Sequence, residues 1–164
     1  MARMRVTKND LKESVRKKLI KILNENLVDS IHLSIQAKQA HWNVRGPGFF
    51  MFHELFDKFY ETTTGWTDML AERCVQLGGV AEGNLDSVSR RTRISNYSLD
   101  LVEGPKHVQA LLMSLSHFCR TVREATDACT SGGDAGSADV FTEISRAADK
   151  FMWIFEAHFV EMKR

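Results

Sequence analysis

The feature that most constrains this chain is where it lacks breakers. Among 164 residues only two are proline, Pro47 and Pro105, and each adjoins a glycine. Proline stops a helix by removing an amide donor, and glycine weakens one through its backbone entropy. Turn signals gather at Arg45-Gly46-Pro47-Gly48, Gly78-Gly79, Gly83-Asn84 and Ser131-Gly132-Gly133-Asp134. Four long segments remain. The first, 10–44, carries Leu19, Ile22, Leu23, Leu27, Ile31 and Ile35 at helical spacing. The second, 48–77, opens on an apolar face of Phe49, Phe52, Leu55, Phe56 and Phe59. The third, 105–129, begins at Pro105, which suits a first helical turn. The last, 137–161, turns Ile144, Phe151, Ile154, Phe155 and Phe159 inward.

Short links join the first two segments and the last two, while about 25 residues separate the pairs. A connection that long inside a compact domain has structure or a role of its own, and a short helix is expected over 86–90. The expectation is an all-α, ferritin-like four-helix bundle, its two hairpins joined by a long middle crossover holding a short extra helix. The length suits a single domain, 1–164. Hydrophobic residues at 43% and charged residues at 26% are ordinary for a globular chain and argue against disorder.

The net charge of +1 is unevenly spread. Residues 1–21 hold eight basic side chains against two acidic ones, and the remaining 14 basic against 19 acidic residues sum to −5. A basic start of this kind, with an arm over about 1–9, suits a polyanion, although a solvated helix start explains it as well. The cysteines, Cys74, Cys119 and Cys129, are odd in number and form no CxxC. With no leader-like apolar stretch after the basic start and no membrane-length run, reduced thiols in a cytoplasm are expected.

One stripe stands out. His53, Asp57, Asp68 and Glu72 fall on the second helix at relative angles of roughly 0°, 40°, 60° and 100°. His53/Asp57 and Asp68/Glu72 are i,i+4 pairs, a spacing at which two side chains can share a metal ion. His41, just before the turn, can fold back towards His53. Such a stripe is ordinarily a solvated face. It is also too long for one ion, since Asp57 and Asp68 lie about 16 Å apart along the axis. One chain thus offers two half-sites, His41/His53/Asp57 and Asp68/Glu72, which an antiparallel second copy would join into two equivalent centres across a two-fold axis. Imidazole with carboxylate suits iron or zinc better than magnesium or calcium. Ferritin-like di-metal sites inside a bundle use Glu-x-x-His motifs, and none occurs here. His32, His107, His117 and His158 have no comparable carboxylate stripe and are expected to be structural or exposed.

Several motifs resemble the Dps family (DNA-binding protein from starved cells), the mini-ferritins. They are Lys38-Gln39-Ala40-His41-Trp42-Asn43, Gly46-Pro47, His53-Glu54-Leu55-Phe56-Asp57, Asp68-Met69-Leu70-Ala71-Glu72-Arg73, Val75-Gln76-Leu77-Gly78-Gly79 and Asp149-Lys150-Phe151-Met152-Trp153. The resemblance runs from about Leu23 to Glu156. It implies a dodecameric homo-oligomeric shell with a ferroxidase centre at each two-fold interface. By motif the ligands are His41, His53 and Asp57 from one subunit and Asp68 and Glu72 from its neighbour. The implied activity is oxidation of Fe(II), preferentially by hydrogen peroxide, with ferric mineral stored inside and DNA protected from hydroxyl radicals. Zinc is an alternative occupant. Trp42 resembles a tryptophan near the family's centre, where it takes up stray oxidising equivalents or simply packs. Asp139 and Asp149, ten residues apart and near one face of the last helix, match acidic positions lining the family's iron pores.

The chain departs from the pattern at Gly65-Trp66, where the family commonly has Asp or Asn followed by His. This puts a hydrogen bond near the centre, or the second iron position, in question. A glycine inside a helix is unfavourable by about 1 kcal/mol against alanine. Non-specific DNA contact would fall to Arg3, Arg5 and Lys8 of the short basic arm, multiplied by copy number. The alternative function is accordingly a nucleoid protein whose iron chemistry is minor.

Overall fold

The computed structural model describes residues 4–159. The described residues form five helices: α1 (Glu13–Asn43), α2 (Phe49–Gln76), α3 (Leu85–Arg91), α4 (Gly104–Ser131) and α5 (Ala135–Glu156). Helices α1 and α2 form one antiparallel hairpin and α4 and α5 the other, and the crossover that carries α3 connects them. No strand occurs among the described residues, and a single isolated bridge pairs Arg45 with Glu103. This is the all-α bundle with a short crossover helix that the breaker pattern predicts.

The core is built from aromatic rings. Phe56, Phe59, Phe118, Phe141 and Phe155 are fully buried. Trp66 stacks on Phe118 with centroids 5.7 Å apart and meets Phe59 edge-on at 6.2 Å. Each such side chain contributes roughly 1.5–3 kcal/mol by leaving water. Gly104 is required by close approach, since a Cβ there would stand 2.1 Å from the Phe52 ring.

Helix α1 buries polar residues as well as apolar ones, because the crossover lies against it. Asn24 donates to the Val80 carbonyl at 3.0 Å and accepts from the Glu82 amide at 2.8 Å. Asp29, with no exposed surface, accepts from the Arg93 amide and the Arg93 Nε, both at 2.8 Å, and from Thr92 Oγ1 at 3.2 Å. Gln36 donates to the Ser95 carbonyl at 2.7 Å and accepts from Ser114 Oγ at the same distance. These bonds fasten a segment that has little apolar surface of its own.

Three expectations need correction. Helix α5 ends at Glu156 rather than 161. The His158 amide bonds the Phe155 carbonyl and its ring Nδ1 bonds the Ile154 carbonyl, tightening and closing the last turn. Ile35 and Phe49 point outward, each 46% exposed. Ile35 lies beside the polar positions by which α1 grips the crossover, and Phe49, the first residue of α2, stands over the His53 ring at 5.3 Å instead of entering the core.

Candidate metal centre

The hairpin between α1 and α2 brings the two candidate histidines together. His41 is in the last turn of α1 and His53 in the second turn of α2. His41 Nδ1 lies 2.9 Å from the His53 carbonyl, and His53 Nδ1 lies 2.9 Å from the His41 carbonyl. A carbonyl can only accept, so both Nδ1 atoms carry the proton and both Nε2 lone pairs are left free. The rings stack with centroids 3.6 Å apart and planes 26° from parallel. Neither imidazole can rotate without losing its bond, which fixes the direction of both lone pairs.

Asp57 lies one turn beyond His53, its Oδ1 3.7 Å from His41 Nδ1. It is ion-paired to Lys38 of α1, whose Nζ also sits 4.7 Å from the centre of the Tyr60 ring. The Lys38 hydrogen bond holds the Asp57 carboxyl below its usual range; slight burial opposes this, and the nearby His41 and His53 reinforce it. Asp57 therefore remains an anion at any pH where the imidazoles are free to ligate. Lys38 occupies the side of the carboxylate that a cation would seek. Its role is not evident from helical spacing, because α1 meets α2 here through the fold of the hairpin.

Asp68 and Glu72 lie further along α2, exposed and on the same stripe. Among the described residues no three His, Cys, Asp or Glu side chains converge to enclose a metal ion. One chain thus brings His41, His53 and Asp57 near one another without closing a metal cage, and leaves the acidic pair apart. The end of α2 beyond Glu72 is anchored by Arg73, which the pattern did not single out. It donates through Nε to Ser137 Oγ at 2.9 Å and through Nη2 to Asp134 Oδ1 at 2.7 Å. Burial works to raise the Asp134 carboxyl, but Ser137 and Arg73 together hold it below its usual range. At the substituted dipeptide, Trp66 is turned into the core, and Gly65 is exposed with nothing within 4 Å of a Cβ.

The remaining candidates are scattered. Trp42 is 67% exposed beside His41. Asp139 is exposed. Asp149 is half-exposed and paired with Arg123 of α4 at 2.6 Å. Ten residues place these two aspartates about 80° apart around α5, so they share only a broad face. Arg5 and Lys8 are exposed, and the Arg5 amide bonds the Gly78 carbonyl at 2.8 Å, tying the basic segment to the end of the first hairpin. Arg3 lies outside the described residues. His32 bonds Thr92 at 3.1 Å, and His107, almost wholly buried, meets the Tyr97 hydroxyl at 2.7 Å. Burial pushes the three thiols up, Cys74 and Cys129 to about 11 and Cys119 to about 12, so all stay protonated. No helix among the described residues is long and apolar enough to cross a membrane.

Comparison with known proteins matches this arrangement to one family. Residues 20–164 match the ferritin-like domain. The chain is 42% identical over 155 residues to the DNA protection during starvation protein of Agrobacterium fabrum, covering 94% of this chain and 96% of that one. DpsC from Streptomyces coelicolor superposes with a TM-score of 0.92 at 26% identity, covering 98% of this chain and 94% of that one. The Dps protein of Vibrio cholerae O1, described as a member of a broad superfamily of ferritin-like diiron-carboxylate proteins, shares the fold with a TM-score of 0.89 at 23% identity over 96% and 99% of the two chains. With its bundle, its crossover helix and its paired histidines, this chain belongs to the Dps family of ferritin-like proteins.

Proposed function

We propose that this chain is a ferroxidase and iron store. It oxidises Fe(II), preferentially with hydrogen peroxide, at centres shared between two-fold-related subunits, and deposits ferric mineral inside a shell of twelve copies. The observation that carries this reading is the reciprocal His41/His53 lock, which leaves both Nε2 lone pairs free for a metal, with Asp57 Oδ1 3.7 Å from His41 Nδ1. A set of two imidazoles and one carboxylate is an incomplete coordination sphere for iron. Asp68 and Glu72, on the same stripe but about 16 Å along it, are the carboxylates a second copy would add.

Fe(II) is the substrate. Two Fe(II) each give up one electron, the O–O bond of one peroxide breaks, and two protons complete two waters, so no hydroxyl radical is released. The carboxylates favour the product because hard anionic oxygen binds Fe(III) more strongly than Fe(II). Zinc takes the same donors without redox chemistry and would inhibit. Asp139, exposed and without the arginine that occupies Asp149, is the better candidate for drawing cations towards an entry pore. The exposed Trp42 is placed to accept a stray oxidising equivalent.

The test is to mix anaerobic protein with Fe(II), add peroxide and follow ferric absorbance. Fast oxidation at two irons per centre, lost in Glu72→Ala and His53→Ala, supports the proposal; oxidation at the rate of buffer alone rejects it. Light scattering tests the twelve-subunit mass. The second reading, a non-specific DNA-binding protein, rests on the exposed Arg5 and Lys8 and on the DNA-protection name of the Agrobacterium fabrum relative. A gel shift across a salt series, with and without residues 1–10, separates it from the first.

A further inference from the structure

A groove between the crossover and α4 differs in charge from the other large grooves. It encloses about 640 Å3, and its polar lining includes Ser95, Asn96, Ser98, His117, Arg120 and Arg123. No aspartate or glutamate lines it. The groove beside Asp57 mixes Glu54, Asp57 and Glu61 with Lys58 and Lys150, and the one beside α3 mixes Glu25 and Glu82 with Lys17, Lys21 and Arg91.

The cations here are poised rather than consumed. Arg120 donates through Nη2 to His117 Nδ1 at 2.9 Å and makes no ion pair among the described residues. Because arginine only donates, Nδ1 accepts and the His117 proton sits on Nε2. That Nε2 is buried and has no acceptor among the described residues. Burial holds His117 below its usual range, so its ring is neutral at pH 7 and leaves the Arg120 charge intact. Arg123, three residues on along the same helix, gives Nη2 to Asp149 and keeps its other donors. Ser95, Asn96 and Ser116 are exposed at the rim.

We propose that this groove binds a phosphate oxyanion, held by the guanidinium forks of Arg120 and Arg123 and completed by hydroxyl and amide donors of the crossover. A planar fork matches two phosphate oxygens at once, and hydrogen bonds between two ionised groups are about twice as strong as neutral ones. With no carboxylate in its lining, the groove opposes an anion less than the other two do, although Asp149 stands behind Arg123. The chemistry is common to free orthophosphate and to the phosphodiester of a polynucleotide. The proposal is independent of iron oxidation, and either can fail without the other.

The test uses the full chain in its native assembly, in chloride buffer at pH 7. Orthophosphate is titrated by calorimetry, and a short labelled DNA duplex by fluorescence anisotropy. Arg120→Gln and the pair Arg120→Gln/Arg123→Gln are compared with Lys17→Gln/Lys21→Gln, which removes equal charge elsewhere; melting temperatures verify folding. Saturable orthophosphate binding, weakened about tenfold or more in Arg120→Gln by the loss of a charged hydrogen bond and unchanged in the lysine variant, is expected. Displacement of phosphate by the duplex identifies a polynucleotide backbone as the source, and indifference to it identifies free phosphate. No saturable binding, or binding equally strong in Arg120→Gln, overturns the proposal. So does equal weakening in the lysine variant.

Discussion

The two ends of the candidate ligand stripe on α2 are built on different principles. At the α1 end, His41 and His53 lock each other through backbone carbonyls, and Asp57 is held by Lys38. At the far end, Asp68 and Glu72 stand exposed on the helix surface, with Arg73 anchoring only the backbone beneath them. The difference teaches how a shared centre can be divided. Imidazoles have one useful lone pair and must be aimed beforehand, whereas carboxylates have two oxygens and can adapt to what the partner presents.

The sharpest way to break this comparison is complementation. His53→Ala and Glu72→Ala should each reduce iron oxidation to the rate of buffer. Subunits of the two variants, unfolded together and reassembled, should recover about one quarter of the activity, since half the dimers are mixed and one of the two centres in each is intact. No recovery from a mixture that reassembles would mean that both ends serve the same centre in one chain.

Acid separates the centre from the scaffold. Desolvation lowers His32, His107 and His117. On unfolding each would take up a proton once the pH is below its ordinary value of 6.5, while the folded chain resists until lower pH. Stability present at pH 7 should therefore fall as the pH drops from 6.5 towards 5. Calorimetry of the metal-free protein measures this loss without the contribution of ligand protonation.

A smaller effect is expected between the two ends. Gly65 is helical and exposed, and a Cβ there meets nothing. Gly65→Ala should stabilise the chain by about 1 kcal/mol, read as a higher denaturant midpoint. If oxidation falls as the midpoint rises, the glycine serves the approach of the partner helix rather than flexibility. The smallest effect concerns Lys38. The Lys38–Asp57 pair is only partly buried, and ion pairs in contact with solvent are worth about 1 kcal/mol or less, so Lys38→Met should tighten Zn(II) binding by no more than about fivefold. An unchanged isotherm would show that the lysine moves aside freely.

Much of this was legible in the sequence because breakers and ligands leave local marks. Helix boundaries followed Gly46-Pro47-Gly48, Gly78-Gly79 and Pro105 to within three residues, apart from the end of α5. There the stop is a histidine side chain bonding its own helix, which has no compositional signature. The pairing of His41 with His53 was visible as a fold-back across one turn. The fastening of Asp29 to Arg93, 64 residues away, was not, since hydrogen bonds between α1 and an irregular crossover have no period. For the same reason nothing in the sequence marked out Lys38 or Arg73 beyond their place in the motifs, though one holds the Asp57 carboxylate and the other anchors a helix end.

The contact between Gly104 and Phe52 carries this logic to a site remote from any ligand. Phe52 is the immediate neighbour of His53, and even a methyl group at 104 would overlap its ring. A screen for lost iron oxidation should therefore return hits at the start of α4 alongside the ligands themselves. Such variants would retain every donor atom and still aim one of them wrongly.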